Sequence, residues 1–507
     1  MDNRLASIDL GSNTFRLSIG RVVRHGDTVQ LYTEDKLREL VALANGLDEH
    51  QRIDAATAAQ AIAALTRFGE RLRGFSPANV RAVATNTFRV ARNAAEILPE
   101  AERALGFPIE VISGQEEARL IYLGVIQDLP PSPDRRLVID IGGGSTEFII
   151  GQGRQPMQLA SLQMGCTTWT RRFFSTGRVT RTRMQRAIMA ARGTIESITH
   201  SYRRTGWQQA YGSSGTAKGL LAVLVENGLS EHGITLAGMQ RLADALIRAG
   251  EVRLQDWAGL KAERAPVLAG GLAIMMAAFQ ELGIERMDAG DGALRVGVLQ
   301  DLLGRDSHRD QRDETVREMS SRYQLDTTQA GRVRDVALAL FDQLDLDRGQ
   351  PDIHELRKSL DWTAQLHEIG LVIARDDYHK HGAYILEHAD MPGFSHDDQR
   401  LLAFLALGHQ GRLAKVRRYE PARPQWLALC CLRLAVLLLR RREPVEAPPF
   451  SIRTLGTRIT LSVPGGWLES HPLSGFLLKA EAEVWRKIGF GLDTEELPAP
   501  APSAASA

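Results

Sequence analysis

Two short segments of this sequence set an acid beside a glycine turn. Ile8-Asp9-Leu10-Gly11-Ser12-Asn13 and Ile139-Asp140-Ile141-Gly142-Gly143-Gly144 each run an apolar strand into an Asp and then into small residues. Backbone N–H groups bunched at such a turn form an anion nest. An Asp next to it can hold Mg²⁺ directly or through water and so offset the charge of phosphate oxygens. One such loop reads equally well as a tight turn. Two on matching patterns point to a substrate with several phosphates in a row. The second loop continues into Ser145, Thr146 and Glu147, an acid placed for a metal or a water.

A third acidic segment is Ser113-Gly114-Gln115-Glu116-Glu117-Ala118-Arg119. Ser at a helix start with Glu three residues on is a capping box, which gives Glu116 a structural task. Glu117 is left without one, and a carboxylate freed in this way can take a proton from an attacking water. From spacing alone the plainer reading of Glu117 is a solvated helix residue. Basic residues follow the strand-end turns: Arg16 after the first loop, Arg89 and Arg92 in ATNTFRVARNA, Lys218 after SSGT, and Arg295 after DGAL. Each alone reads as a surface charge. Their recurrence suggests a convergent basic site, with Arg suited to bidentate phosphate contacts.

The elements that must position these residues alternate between strand and helix patterns up to about Gly304. RLASIDLGSN, VRAVAT, IEVISG and RRLVIDIGGGSTEFIIG read as strands. QQAYGSSGTAKGLLAVL and ERMDAGDGALRVGVL read as strand, turn and helix, and Ala55 to Leu72 is an Ala-rich helix. This is an α/β architecture with ligand loops at strand ends. The paired acidic loops suggest two related halves, 1–125 and 126–304, with PPSPDRR as a surface loop near the junction. Charged helical patterns fill 305–442. PVEAPPF then breaks the chain, and 443–496 reads as a small α+β domain: two strands across a Gly turn, then a Leu-rich helix through Trp485. The end, 497–507, is low in complexity and reads as a disordered tail.

Taken together, SIDLGSNTFRL, VISGQEEARLIYLGV, LVIDIGGGSTEF, GSSGT and DGALRVGVL resemble the exopolyphosphatase / guanosine pentaphosphate phosphohydrolase family, in order from Ser7 to about Leu303. The resemblance implies two actin-like (ribonuclease H-like) ATPase-fold domains facing a cleft. It implies a water-activating acid at Glu117, the residue that the capping pattern also leaves free. It gives Asp140 and Glu147 metal and water-orienting roles, with Asp9 as a further metal ligand and Mg²⁺ as the cofactor. Ser12, Asn13, Gly142, Gly143, Gly144 and Ser145 are implied as phosphate holders, together with Ser214, Gly215 and Thr216 of GSSGT. Arg16, Arg89 and Arg295 are implied as basic substrate contacts. Ala42 stands where many relatives carry Arg or His, so one basic contact is missing.

The reaction that follows is in-line attack of water on a terminal phosphorus. The first expectation for the substrate is inorganic polyphosphate, favoured by GGGS, DGALRVGVL and HKHGAYIL. The alternative is pppGpp, cleaved at its 5′ end to ppGpp and favoured by SLQMGCTTW. A catalytically silent polyphosphate or nucleotide binder is a third reading, against which stand Glu117, Asp140 and Glu147. In the helical part, His367-Glu368 with His379, His381, His388 and His409 resembles an HD-type domain in which Glu stands for the usual Asp, so no second metal centre is expected. Arg440-Arg441-Arg442 reads as favourable charge at a helix C-terminus.

Bulk properties exclude several other classes. The 507 residues are 44% hydrophobic and 24% charged with net charge +1, so no overall basic excess points to nucleic acid. Three cysteines form neither a disulfide framework nor a metal spacing. No secretion signal is expected, and the longest apolar run, Leu427 to Leu439, is too short to span a membrane. The expected setting is cytoplasmic, with at most peripheral membrane association, and the resemblance implies a homodimer.

Overall fold

The computed structural model describes residues 3–25, 28–290, 292–306, 310–347, 350–442 and 450–497. The expected break at PVEAPPF (all but Phe450), the expected tail beyond Leu497, and Asp291 of the DGAL segment lie outside them. The chain divides by packing into two compact units, Met1–Gln311 and Arg312–Ala507.

The first unit holds two sheets. In the first, β1 (Arg4–Leu10), β2 (Thr14–His25) and β3 (Thr28–Leu40) form an antiparallel meander. β4 (Val80–Ala84) and β5 (Ile109–Val111) continue it in parallel, giving the order β3-β2-β1-β4-β5. The second sheet repeats this plan. β6 (Arg135–Ile141), β7 (Thr146–Gln152) and β8 (Gln155–Leu162) form the meander, while β9 (Gln209–Ser213) and β11 (Arg286–Ala289) are the parallel strands. The short β10 (Ile234–Thr235) closes the edge. Two sheets in the order 3-2-1-4-5 make the α/β, actin-like (ribonuclease H-like) fold. The central strands are buried on both faces, with Ala6 and Ile8 on one face of β1 and Ser7 on the other, and Leu137 and Ile139 on one face of β6 and Val138 on the other.

Two helices cross between the sheets. The first crossing helix, Gly114–Gln127, follows β5 and packs on β7 and β8 of the other half. The second, Leu294–Asp306, follows β11 and packs on β1, β2 and β4 of the first half. They touch backbone to backbone, and a Cβ on Gly297 would stand 1.7 Å from the Leu120 carbonyl oxygen. Each half is therefore completed by a helix from the other. The expected limits at 125/126 and 304/305 fall in the last turns of these two helices. We propose the finer division into halves on the basis of the two sheets.

The second unit is helical from Gln311–Arg322 through Arg423–Leu438 and closes with a three-stranded sheet. β12 (Ser451–Leu455) and β13 (Arg458–Val463) form the expected hairpin, turning at Gly456 with φ 61°. β14 (Gly491–Glu496), which was not anticipated, adds in parallel after the helix Pro472–Arg486. Helices and sheet share one apolar core around Trp426, Leu432, Leu461 and Trp485. Ala265–Leu282 is a longer apolar stretch than Leu427–Leu439, contrary to expectation. It is long and apolar enough to cross a membrane, and 72% of it is buried inside the protein.

Candidate active site

The two acidic loops end at equivalent points in their sheets and meet across one cavity of about 110 Å³. In the first sheet Asp9 is paired across the strands with Arg16, and in the second Asp140 is paired with Glu147. Residues opposed in this way share a face of the sheet. The cavity wall carries Asp9, Ser12, Asn13 and Arg16 from the first loop and Asp140, Gly142, Gly143, Ser145 and Glu147 from the second. Glu117, Ser214 and Gly215 complete the set.

Local hydrogen bonds fix these loops. The amides of Val41 and Ala42 donate to the Asn13 carbonyl and that of Ala44 donates to the Ser12 carbonyl, so the segment after β3 pins the first loop. Ala42 takes the left-handed conformation, φ 52°, to do so. In the second loop the Gly142 N–H donates to the Ser145 carbonyl at 2.9 Å. A Cβ on Gly144 would stand 2.1 Å from Asn86 Nδ2, so only glycine lets the loop approach the helix that follows β4. Ser214 Oγ and Thr216 Oγ1 both donate to the Ile141 carbonyl, at 3.0 and 2.8 Å, which ties the GSSGT turn to the strand bearing Asp140.

Four predicted contacts lie off the cavity wall, and one of them, Arg295, lines a pocket beside it. Arg89 donates to Glu117 Oε2 at 3.1 Å from both terminal nitrogens and to the Ile112 carbonyl at 2.8 Å, so it grips the candidate base. Gly144 faces Asn86, and Thr216 is buried as a brace. Arg92 is exposed outside the site. Ser113 Oγ accepts from the Glu116 N–H at 3.1 Å, which is one half of the expected capping box; the Glu116 carboxylate is instead ion-paired with buried Arg119 and Arg81.

A second pocket of about 480 Å³ adjoins the cavity and shares Arg16, Ser214, Gly215 and Arg264 with it. Its described lining carries seven cations, Arg16, Lys36, Arg38, Lys218, Lys261, Arg264 and Arg295, against the single acid Glu263. Arg264 escaped the sequence reading. It precedes a Pro-containing turn (Ala265–Val267), whereas the pattern sought was a cation after a strand-end loop. Its guanidinium lies where a Cβ on Gly215 would be, 1.9 Å away, so the glycine after Ser214 makes room for it.

Burial sets the protonation of the acids. Desolvation, only partly offset by Arg16 and Arg295, pushes Asp9 up to about 6. Glu117 is raised to about 7, first by burial, against the pull of Arg89. Asp140 is raised by burial, against hydrogen bonds from Ser213 and Ser214. Glu147 is raised well above the carboxylate range by burial and then by the charges of Glu117 and Asp140. Ser161 Oγ donates to its Oε1 at 2.8 Å. Among the described residues no three His, Cys, Asp or Glu side chains close on a single point as a metal cage. The donors at hand are oxygens, which suits Mg²⁺, an ion that keeps several waters and binds through one or two carboxylates plus substrate phosphates.

In the second unit, His367 Nδ1 and His409 Nδ1 lie 2.7 and 2.6 Å from the carbonyls three residues before them, and His409 Nε2 lies 3.0 Å from Tyr378 Oη. His367 and His409 are held below the usual histidine range by burial. Glu368 is ion-paired with Arg442. The His379 and His409 rings lie edge to face with centroids 6.3 Å apart, and His388 lies tilted by 56° against Tyr384 at 4.6 Å.

Comparison with known proteins agrees with this geometry. Residues 21–306 match the Ppx/GppA phosphatase family and residues 311–482 match Ppx/GppA phosphatase, domain III. The chain is 38% identical to the guanosine-5′-triphosphate,3′-diphosphate pyrophosphatase of Aeromonas hydrophila, over 96% of this chain and 97% of the relative. It is also 38% identical to the protein of the same name from Aeromonas salmonicida, with the same coverage. Among solved structures, an Aquifex aeolicus member of the Ppx/GppA family aligns with a TM-score of 0.50 and 25% identity, covering 60% of this chain and 98% of that one. An exopolyphosphatase from Cytophaga hutchinsonii shares the fold at a TM-score of 0.53 and 24% identity, covering 59% and 97%. Two matching domains in series and near-complete coverage by relatives at this identity leave one assignment: the chain belongs to the Ppx/GppA phosphatase family.

Proposed function

We propose that this phosphatase removes the terminal 5′-phosphate of guanosine 5′-triphosphate 3′-diphosphate (pppGpp), leaving guanosine 5′-diphosphate 3′-diphosphate (ppGpp). The observation that carries this reading is the seven-cation pocket opening from the catalytic cavity. In this reading the 5′-triphosphate lies between the two loops, and a second phosphate group branching off the same ribose needs its own cations. Relatives named for that substrate support it over polyphosphate, which reverses the order expected from sequence. Polyphosphate is the second reading, since a linear polyanion also suits a cavity that continues into a basic pocket.

In the proposed reaction Glu117 accepts a proton from the attacking water, the new P–O bond forms in line, and the bond to the bridging oxygen of the leaving diphosphate breaks. With a pKa near 7, Glu117 is close to the value that best serves a general base at neutral pH. Arg89 fixes its orientation. Loop N–H groups, with Ser12, Asn13 and Ser145, hold the equatorial oxygens. Asp140, with Asp9 and Glu147, would hold Mg²⁺, which supplies charge neutralisation at those oxygens when bound. The test is phosphate release from pppGpp and from long-chain polyphosphate by the purified protein, with Mg²⁺ and with chelator. A higher kcat/KM on pppGpp supports the reading. A higher value on polyphosphate moves the assignment to the second reading, and release from neither removes both.

A further inference from the structure

Directly beside the candidate base, six charges are packed into the seam between the crossing helices and the first sheet. Asp301, on the second crossing helix, accepts from Arg81 of β4 at 2.7 Å, from Arg305 at 3.2 Å, and from Arg119 of the first crossing helix. Glu116 accepts from Arg119 at 2.7 and 2.9 Å and lies 3.4 Å from Arg81. Glu110 of β5 accepts from Arg81 at 3.0 Å. Three guanidiniums thus face three carboxylates, and the side chains of Arg81, Arg119, Glu116 and Asp301 are all at most 5% exposed. Neighbouring guanidiniums hold the Asp301 carboxyl far below its usual range. Two carboxylates that each bind the same two arginines fix a geometry that a single ion pair does not.

The placement of this network has a chemical consequence. Glu116 is the residue before Glu117, so whatever sets the first turn of Gly114–Gln127 sets the direction of the base. The helix contacts at Gly124 and Gly297 are backbone on backbone, and around them Leu120, Val125, Leu294 and Val298 share one apolar cluster, whose contacts are non-directional. The charged network adds bonds of fixed direction at the end nearest the chemistry. We propose that Asp301 is a positioning residue for the hydrolysis: it clamps Arg81 and Arg119, which grip Glu116, and through them it holds Glu117 on the line of attack. Asp301 itself is absent from the wall of the catalytic cavity. The inference rests on Glu117 being the base.

The test is a double-mutant cycle on the full chain with Asp301→Asn and Glu117→Gln. A small misplacement of a reacting group costs up to about 10²-fold, so Asp301→Asn should lower kcat by about 10- to 100-fold with KM changed less than about 3-fold. In the Glu117→Gln background the same change should cost no more than about 2-fold, because the group through which Asp301 acts is already gone. Asp301→Glu, which restores the charge, should recover part of kcat. If Asp301→Asn leaves kcat unchanged, or lowers the residual rate of Glu117→Gln by the same factor as that of the wild type, the proposal is wrong. Should Asp301→Asn not fold, Arg305→Gln at the network's rim carries the same cycle. If the wild type hydrolyses neither substrate, the functional reading fails by itself. Amide exchange then decides the clamp: faster exchange over 114–121 in the variant with 181–205 unchanged supports it, and unchanged exchange over 114–121 overturns it.

Discussion

Asp9 and Asp140 occupy matching positions on matching hairpins, yet the residue opposite Asp9 is Arg16 and the residue opposite Asp140 is Glu147. One wall of the cleft is thereby biased towards anions and the other towards a cation. Both loops and Glu117 were legible in the sequence because Asp-Gly turns and a capping pattern are local signals. Arg264 and the grip of Arg89 on Glu117 were not, since both depend on residues far apart in the chain. Three predictions belong here. Replacing Glu117 by Gln should lower kcat by about 10²–10⁴-fold, the usual worth of a general base, as read by phosphate release. Arg89→Ala removes the cation that favours the carboxylate, so the pKa of Glu117 should rise. The acid limb of the pH–rate profile should then move to higher pH, and movement to lower pH would contradict the assignment. Arg264→Gln should raise KM for pppGpp about 10-fold or more, the order expected for a lost charge-assisted hydrogen bond, with a smaller change in kcat.

At the scale of elements, the strands recognised from sequence were short ones with a clear apolar pattern, among them the central β1, β4, β6 and β9. The β2–β3 hairpin escaped because TEDKLREL places charges on an edge strand and mimics a helix face. β14 escaped because GLDTEE is mostly polar and is held by pairing with β13. The crossing of the two helices could not be read from either segment alone, although the glycines that permit it were visible. Gly297→Ala would drive a methyl into the Leu120 carbonyl, and overpacking of this kind costs about 1–3 kcal/mol. A lower melting temperature with unchanged secondary-structure content is the expected result. Burial of the acids adds a pH dependence. Carboxyls whose pKa is raised on folding bind protons more tightly in the folded state, so stability falls as pH rises from about 4, the ordinary carboxylate value, through about 6 for Asp9 and 7 for Glu117. Metal-free protein should therefore melt at lower temperature at pH 7.5 than at pH 5, and Mg²⁺ should recover more of that loss at pH 7.5.

For the whole molecule, the solved relatives span nearly all of their own length while covering only about 60% of this chain. The proposed catalytic groups likewise all lie before Gln311. A chain ending at Gln311 is expected to fold and to retain Mg²⁺-dependent phosphate release, with any change confined to KM. Loss of release with the fold intact would show that the second unit contributes to the chemistry. The exchange of helices between the halves also bears on biosynthesis. One face of the first sheet packs on Ala55–Arg71 and Ala94–Leu105, while the other is covered only when Leu294–Asp306 has been made, so that face of β1, β2 and β4 waits for the rest of the first unit to be translated. At about 5–20 residues per second that interval is on the order of ten to fifty seconds. Through it the nascent chain presents the apolar surface around Leu5 and Val22 that Leu299 and Leu302 will later cover, a window in which a ribosome-bound chaperone has a defined target.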